Sequence, residues 1–303
     1  MTAPDRPPLT ERFRGRAARW PLRSRFLDLP ARPLLMGIIN VTPDSFSDGG
    51  RFLGTQAAIE HGLRLAAEGA DLLDVGGEST RPYSQPVEPA EELRRVVGVV
   101  QALAEQTRLP VSIDTSKAEV AREAVAAGAE VINDVTALAD PRMVEVALET
   151  GAGVCAMHMR GTPQTMQDNP TYGDVVAEVR DSLRARRDAL VSAGLDPARI
   201  ALDPGIGFGK THQHNLELLA DCHRFHELGC PLVVGHSRKG FIAKVIGDQA
   251  ADRTAGSIGV AISLALQGVQ VIRVHDVGAV RQALLLFEAT GGLDPPPLTR
   301  GAL

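Results

Sequence analysis

Eight short apolar runs of the sequence each end in, or are followed closely by, a side chain that can donate, accept or carry charge. These side chains are Asn40, Glu78, Asp114, Asn133, His158, Asp203, Lys239 and His275. Carboxylates accept hydrogen bonds, an amide both donates and accepts, and an ammonium only donates. Polar groups at the ends of buried strands are costly unless they are paired or used. The set therefore predicts a functional site where the strands end.

Two basic side chains predict an anion site. Arg273 and His275 are two residues apart in the last apolar run, so a strand would direct both to the same side. Arginine offers a planar fork of donors that suits phosphate oxygens. We therefore expect that this pair can bind a phosphate group.

The apolar runs predict parallel β-strands joined by helices. The runs are Leu34–Asn40, Asp71–Gly77, Val111–Thr115, Val131–Val135, Gly153–Met159, Ile200–Ile206, Pro231–Ser237 and Val271–Val277. Stretches of helical period lie between them, such as Thr55–Gly69. Ser116–Glu119 has the pattern of a capping box for the third of these helices, and Gly128 should end that helix.

Eight such units close naturally into an α/β fold, a single (β/α)8 TIM barrel with an N-terminal extension. A doubly wound open sheet has the same alternation and is the alternative fold. We expect residues 1–30 to be the extension, 31–292 the barrel and 293–303 a C-terminal tail. The first 26 residues are rich in arginine but contain no apolar segment like that of a secretory signal.

Composition argues against several classes of protein. The net charge of the 303 residues is −5, which gives no reason to expect nucleic acid or an anionic membrane as a partner. No apolar run approaches the roughly 18 residues of a membrane-spanning helix. The three cysteines, Cys155, Cys222 and Cys230, have neither a paired pattern nor metal-ligand spacing. We therefore expect free thiols and a cytoplasmic location.

A series of short motifs follows the order of the strands and their loops. The motifs are Gly37–Gly50, Asp74–Pro82, Ser112–Thr115, Ile132–Asp134, Met157–Met159 with Gly161–Pro163, Asp203–Gly205 with Gly207–Lys210, Gly235–Lys239 and Ile272–Asp276. Together they resemble the dihydropteroate synthases over residues 34–280. The resemblance implies that dihydropterin pyrophosphate and p-aminobenzoate condense here, in folate biosynthesis, with release of pyrophosphate. It also implies a homodimer.

The same resemblance assigns residues to each part of the substrates. For the pterin it implies Asp114, Asn133, Asp203 and Lys239. For the pyrophosphate it implies Asn40, Thr80, Arg273 and His275. For p-aminobenzoate it implies Thr80, Arg81, Pro82, Phe208 and Ser237. The catalytic set is Asp114, Asp48, Lys239, Arg273 and His275, and Asn40 is the implied ligand of Mg²⁺.

The chemistry of these side chains agrees with such roles. A pterin ring presents an amide, an amine and ring nitrogens along one edge, which carboxylates and asparagine can match. Magnesium prefers oxygen ligands and keeps several waters, so the lack of a His/Cys cluster in the sequence is no objection to Mg²⁺. The resemblance implies that the arylamine attacks the dihydropterin methylene carbon. Fixed charges would then stabilise a cation-like pterin and the departing pyrophosphate.

Two loops rich in Ser, Thr, Pro and Gly follow the first two strands, at Thr42–Gly54 and Glu78–Val87. The resemblance implies that both are mobile and close over the second substrate, with Asp44, Phe46 and Asp48 in the first. One residue departs from the family pattern. Tyr83 stands where a glycine commonly follows Arg-Pro.

Two other functions fit parts of the sequence. A methyltetrahydrofolate-dependent methyltransferase has a similar pterin-binding barrel and would explain the acidic and amide residues. It explains less well the Ser-Thr-Arg-Pro, Ser-Arg-Lys and Arg-Val-His motifs. A catalytically silent pterin-binding paralogue is the second alternative, and Tyr83 argues weakly for it. The residues that argue against it are Asn40, Asp203, Lys239, Arg273 and His275.

Overall fold

The structure is a computed structural model that describes residues 8–41, 51–81 and 83–293. A short helix, α1 (Leu9–Arg12), precedes a hairpin of β1 (Arg19–Pro21) and β2 (Phe26–Asp28). The next eight strands are β3 (Leu34–Asn40), β4 (Leu72–Gly76), β5 (Val111–Asp114), β6 (Val131–Asp134), β7 (Gly153–Met157), β8 (Ile200–Asp203), β9 (Val233–Gly235) and β10 (Val271–Val274). The helices that follow them are α2 (Arg51–Ala67), α3 (Pro89–Gln106), α4 (Ala118–Ala126), α5 (Pro141–Thr150), α6 (Val175–Ser192), α7 (His212–Ala220), α8 (Gly240–Ile246), α9 (Thr254–Leu266) and α10 (Val277–Ala289). Within the described ranges, no helix is both long and apolar enough to cross a bilayer.

Strands β3 to β10 form one parallel sheet that closes on itself. The strand order is β8-β7-β6-β5-β4-β3-β10-β9, and a parallel bridge between Leu202 and Leu232 joins β8 to β9. This closure confirms the predicted TIM barrel and excludes the open sheet. The carboxyl ends of all eight strands therefore meet at one mouth of the barrel.

The lumen of the barrel changes from apolar to polar along the strands. Its lower layer includes Leu72, Val131 and Val271, all fully buried. Two residues further along the same strands, and so on the same side, stand Asp74, Asn133 and Arg273. The second core, between strands and helices, is built from aliphatic side chains such as those of α3 and α4. The polar end of the lumen is thus part of the strand pattern itself.

The amino-terminal mouth of the barrel is closed by the hairpin of β1 and β2. Trp20 is fully buried against the lower layer of the lumen, and its Nε1 donates to the carbonyl of Arg199 at 3.0 Å. Glu130 accepts from the backbone nitrogen of Ser24 at 2.9 Å and from Nε of Arg25 at 3.0 Å. Residues 19–28 of the expected extension are therefore an ordered part of the fold.

Two local predictions have different outcomes. The capping box at Ser116–Glu119 is wrong, because α4 begins at Ala118 and no side chain caps it. Lys117 occupies the cap position, and its ammonium is instead drawn to Glu78 and Glu92. The end of the same helix is confirmed: Gly128, at φ +117°, follows directly after the last turn.

Candidate active site

Arg273 lies between two carboxylates in the polar end of the lumen. Its Nε donates to Oδ2 of Asp74 at 2.5 Å, and its Nη2 donates to Oδ2 of Asp114 at 2.8 Å. The amide nitrogen of Asn133 donates to the same Asp74 oxygen at 3.2 Å. Strands β4, β5, β6 and β10 each contribute one of these side chains. The four residues form one hydrogen-bonded cluster across the barrel.

Burial sets the charge of this cluster. Burial raises the pKa of Asp114 to about 7, although Arg273 opposes the rise, and the nearby carboxylate of Asp74 adds to it. Burial by itself would lower the pKa of Arg273, but Asp74 and Asp114 raise it above its usual range. Near neutral pH, Asp114 therefore exchanges its proton while Arg273 stays cationic.

Asp203 and Lys239 form another side of the same pocket. Asp203 is buried at the end of β8, where its Oδ1 accepts from the backbone nitrogen of Gly205 at 2.7 Å. Burial raises the pKa of Asp203, and the Gly205 hydrogen bond and Lys239 oppose that rise. Lys239 donates to the carbonyl of Ile206 and lies 4.5 Å from the ring centroid of Phe208. Burial lowers the pKa of Lys239 to about 8, against the attraction of Asp203.

His275 and Ser237 form the next part of the mouth. Nδ1 of His275 is 3.1 Å from Oγ of Ser237, and the backbone nitrogen of His275 donates to the same oxygen at 3.3 Å. Burial lowers the pKa of His275 to about 4, and the charges of Arg273 and Arg238 lower it further. At neutral pH the imidazole is therefore uncharged. It can give an anion a hydrogen bond, while the positive charge comes from arginine.

The second loop is docked on the loop that follows β7. The backbone nitrogen of Tyr83 donates to the carbonyl of Pro163 at 3.1 Å, and the Tyr83 hydroxyl donates to Asp168 at 3.3 Å. The side chain of Gln164 donates to the carbonyl of Ser84 at 3.3 Å. Tyr83 has a φ of +62°, a left-handed conformation that favours glycine. This explains why a glycine suits the position.

Glu78 anchors the start of the second loop. The ammonium of Lys117 binds both Glu78 and the fully buried Glu92 of α3. Glu78 also accepts from the backbone nitrogen of Val87 at 3.3 Å. Glu78 thus ties the two ends of the loop together and is not part of the cluster around Arg273.

The structure brings together most of the predicted site residues. The cluster and its immediate neighbours are Asp114, Asn133, Asp203, Phe208, Ser237, Lys239, Arg273 and His275. Asn40 is exposed at the end of β3, in register with Gly76 of the neighbouring strand. Thr80 is half-buried and Arg81 is exposed in the second loop. The predicted residues Asp44, Phe46, Asp48 and Pro82 lie outside the described residues.

Sequence reasoning gave no role to two buried charged residues. Asp74 binds Arg273 and Asn133, although the motif that it begins indicates no role for it. Its position, two residues before the end of β4, is the signal that would have placed it in the lumen. Lys210 ends another motif and is almost fully buried, with His158 as one of its partners. His158 therefore does not face the cluster.

The donor set at this mouth bears on metal binding. Among the residues that the structure describes, no group of three or more His, Cys, Asp or Glu side chains could hold a metal ion. A magnesium ion that is bound mainly by water and substrate phosphate needs no such group. Asn40 is exposed at the mouth, and an amide oxygen suits that kind of coordination.

Comparison with known proteins gives consistent matches. The family model of pterin binding enzymes matches residues 36–275. Dihydropteroate synthase of Escherichia coli is 46% identical over 264 residues, which cover 87% of this chain and 93% of that enzyme. A structure of Xanthomonas albilineans dihydropteroate synthase with 4-aminobenzoic acid is 48% identical, with a TM-score of 0.85 over 91% of this chain and 99% of that one. A structure of the Xanthomonas albilineans enzyme with 7,8-dihydropteroate is 46% identical, with a TM-score of 0.81 and the same coverage.

Proposed function

The chain belongs to the family of pterin-binding enzymes and, within it, to the dihydropteroate synthases, and from that premise we propose how its barrel mouth performs the reaction. The enzyme is a transferase of folate biosynthesis. It joins 6-hydroxymethyl-7,8-dihydropterin pyrophosphate to p-aminobenzoate, which gives 7,8-dihydropteroate and pyrophosphate. The observation that carries the proposal is the buried cluster in which Arg273 is held between Asp74 and Asp114, with Asp203 and Lys239 beside it.

The pterin ring occupies the pocket between Asp114, Asn133, Asp203 and Lys239. The carboxylates of Asp114 and Asp203 accept from the amine and ring N–H groups, and Asn133 both donates and accepts. The ammonium of Lys239 donates to a pterin acceptor. The support for this placement is that all four side chains come from strand ends or strand-end loops of one buried mouth. An edge of mixed donors and acceptors is matched there with little exposure to competing water.

The pyrophosphate lies on the side of Arg273 and His275. Two nitrogens of Arg273 are already bonded to carboxylates, which fixes the plane of the guanidinium while its charge remains. Neutral His275 supplies a hydrogen bond and is oriented by Ser237. Asn40 at the end of β3 and Thr80 at the start of the second loop complete this side. A fixed cation of this kind stabilises charge as it develops on the leaving group.

The bond to the arylamine nitrogen forms at the dihydropterin methylene carbon as the bond to pyrophosphate oxygen breaks, and the nitrogen releases one proton to solvent water. Asp114, in its ionised form, stabilises positive charge that spreads over the reduced ring. Phe208, Ser237, Thr80, Arg81 and Pro82 form the p-aminobenzoate subsite, and Asp48 of the first loop assists with charge. No covalent intermediate with the protein is needed. Cys155, buried in the lumen with its pKa raised well above the usual range by burial, is a core residue and not a nucleophile.

Magnesium is the proposed cofactor. When bound, Mg²⁺ supplies positive charge to pyrophosphate oxygens. Asn40 would hold it through the amide oxygen, since this side chain is exposed at the mouth. The remaining ligands would be water and substrate oxygens.

A turnover assay tests the function against its rivals. Purified protein is given both substrates and Mg²⁺, and dihydropteroate and pyrophosphate are measured. A matched reaction contains methyltetrahydrofolate and a thiol acceptor in their place. We expect equal amounts of dihydropteroate and pyrophosphate, and no methyl transfer. Methyl transfer would support the methyltransferase, and pterin binding without either product would support the silent paralogue.

We also propose a homodimer formed through the last three helices. Five large apolar side chains are exposed there, namely Val245, Ile246, Leu266, Leu285 and Leu286. Helix α9 packs against both α8 and α10, so the three helices that carry these side chains are neighbours on the outside of the barrel. An apolar face of this kind commonly marks an interface, and a two-fold dimer would cover it with its own copy.

Light scattering after gel filtration tests the dimer. The parent protein should have twice the 32.2 kDa mass of the chain. Leu286→Asp should dissociate it, whereas Leu148→Asp, at a similarly exposed leucine on α5, should not. Equal behaviour of the two variants would move the interface elsewhere. A cytoplasmic location is proposed as well, supported by the three free cysteines.

A further inference from the structure

Lys210 is a buried lysine that has no direct part in the proposed reaction. Only 2% of its surface is exposed. Its Nζ donates to the carbonyls of Phe208 at 2.8 Å and Gly205 at 2.9 Å, and it is 3.0 Å from Nδ1 of His158. The carbonyl of His158 is a fourth, longer partner at 3.3 Å. Lys210 therefore lies inside the loop after β8, and its Nζ is surrounded by hydrogen-bond partners from this loop and from His158.

All the partners of Lys210 can accept hydrogen bonds from its Nζ. Carbonyl oxygens accept, and burial lowers the pKa of His158 to about 3, so its ring is neutral and can also accept. An ammonium has three hydrogens, which match two carbonyls and one imidazole nitrogen. Burial lowers the pKa of Lys210 well below its usual range, while the carboxylate of Asp203 opposes this change.

The loop around Lys210 has little freedom to adopt another shape. Gly205 and Gly209 both have positive φ values, +67° and +64°. A Cβ at Gly205 would come within 1.9 Å of the carbonyl oxygen of His158, and one at Gly209 within 2.4 Å of that of Arg160. The loop therefore lies directly against the chain that follows β7. Lys210 joins the two segments from the inside.

The side chain of Lys239 packs against the outer side of this loop. The carbonyl of Ile206 accepts from the Lys239 ammonium, and the ring of Phe208 lies beneath it at 4.5 Å. At Gly207 a Cβ would be 3.1 Å from Cδ of Lys239, so the side chain passes closely over the loop backbone. Phe208 thus faces Lys239 with its ring and Lys210 with its carbonyl.

We propose that Lys210 is a positioning residue that holds the loop 204–209 in the shape required to aim Lys239 at the pterin. Lys210 does not touch the substrate and acts through Ile206 and Phe208. The proposal rests on the proposed function in one respect, namely that Lys239 donates to the pterin. Without the buried ammonium, three carbonyls would lose their donor and the loop would relax away from His158.

A double-mutant cycle between Lys210 and Lys239 tests this proposal. The dissociation constant of 6-hydroxymethyl-7,8-dihydropterin is measured for the parent, Lys210→Met, Lys239→Met and the double variant. We expect Lys210→Met to weaken binding about tenfold in the parent, but less than about twofold when Lys239 is already absent. Lys244→Met, at an exposed lysine on α8, is the matched control and should bind like the parent.

Thermal unfolding of each variant shows whether it is folded. If Lys210→Met does not fold, Lys210→Gln, which keeps a neutral donor, takes its place in the same cycle. Equal weakening in both backgrounds, or parental binding by a folded Lys210 variant, would overturn the proposal. Failure of the parent to form dihydropteroate would instead refute the proposed function, because the binding cycle does not depend on turnover.

Discussion

The two mouths of the barrel use the same eight strands for opposite purposes. At the amino-terminal mouth, Trp20 and Leu22 seal an apolar layer, and the indole nitrogen has its partner. At the carboxyl-terminal mouth, Oδ1 of Asp74 and Oγ of Ser112 are buried without a partner among the described residues. The amino-terminal mouth, whose buried polar groups have hydrogen-bond partners, contributes mainly to stability. The carboxyl-terminal mouth leaves buried polar groups free to bind a ligand. Mutations at the two mouths should therefore separate folding from function.

The largest effect is expected at the amino-terminal mouth. Trp20→Ala should lower the free energy of unfolding by about 3–5 kcal/mol, because it removes a large buried side chain and leaves a cavity. Phe26→Ala, on the same hairpin but 51% exposed, should cost less than about 1 kcal/mol. Chemical denaturation measures both. Specific activity of the folded fraction should be unchanged in both variants, and a selective loss of activity in Trp20→Ala would break the separation of the two mouths.

At the carboxyl-terminal mouth the expected result is reversed. Asp203→Asn should leave folding intact but weaken binding of a pterin ligand by about 1.5–3 kcal/mol, since it removes a charged acceptor from a desolvated site. Asp188→Asn, at an exposed aspartate on α6, is the control. Titration calorimetry with the pterin alcohol gives both affinities. Unchanged affinity in Asp203→Asn would take Asp203 out of the pocket and leave it only its turn with Gly205.

The sequence predicted the barrel because each strand is an unbroken apolar run with a glycine-rich or proline-rich loop after it. It predicted much of the candidate site for a related reason, since polar residues such as Asp114 and Asp203 stand directly at the strand ends. The sequence did not predict the hairpin of β1 and β2 at the amino-terminal mouth. Strands of three residues carry too little periodicity to be recognised, and the burial of Trp20 depends on partners such as Arg199, far away in the sequence.

The roles of Asp74 and Lys117 escaped prediction because they depend on partners that only the fold supplies. Asp74 meets Arg273 across the barrel, 199 residues away along the chain. Lys117 belongs to a segment with capping-box spacing, but the two glutamates that bind its ammonium favour a different local structure. Local pattern could not reveal either ion pair, because charge pairing in a barrel is fixed by strand order and register.

The acidity of Asp114 provides a pH test of the polar mouth. Burial raises its pKa to about 7, and the pterin needs the ionised form as acceptor. Affinity for the pterin alcohol should therefore fall as pH drops through 7, by about tenfold for each pH unit below it. Burial lowers the pKa of Lys239 to about 8, so affinity should fall again above that pH. The alcohol is the right probe, since it has no phosphate groups of its own to titrate.

The acid limb of this profile should belong to Asp114. Asp114→Asn should bind more weakly at pH 8 and lose its dependence on pH between 5.5 and 7.5. Asp188→Asn should keep the parental profile. Affinity of the parent that stays constant from pH 5.5 to 8 would show that Asp114 either is already ionised at low pH or does not meet the pterin.

The smallest effect is expected at Tyr83, which joins the polar mouth to a surface loop. Its left-handed backbone costs an ordinary residue roughly 1–2 kcal/mol, which Tyr83→Gly would relieve. Glycine also gives the undocked loop more freedom, which offsets roughly 0.5–1 kcal/mol of that gain. The exposed hydroxyl bond to Asp168 is lost as well, at a further cost of about 0.5–1 kcal/mol. These contributions nearly cancel, so KM for p-aminobenzoate should change by less than about fivefold, and kcat/KM for the pterin substrate should not change. Tyr83→Phe removes only the hydroxyl and should raise KM for p-aminobenzoate slightly.

Calorimetric titration of p-aminobenzoate, with and without Mg-pyrophosphate, shows whether the docked loop couples the p-aminobenzoate and pyrophosphate subsites. Such coupling must act equally in both directions. A rise in KM above about tenfold in Tyr83→Gly would mean that the tyrosine contacts the substrate itself and is not only a support for the loop.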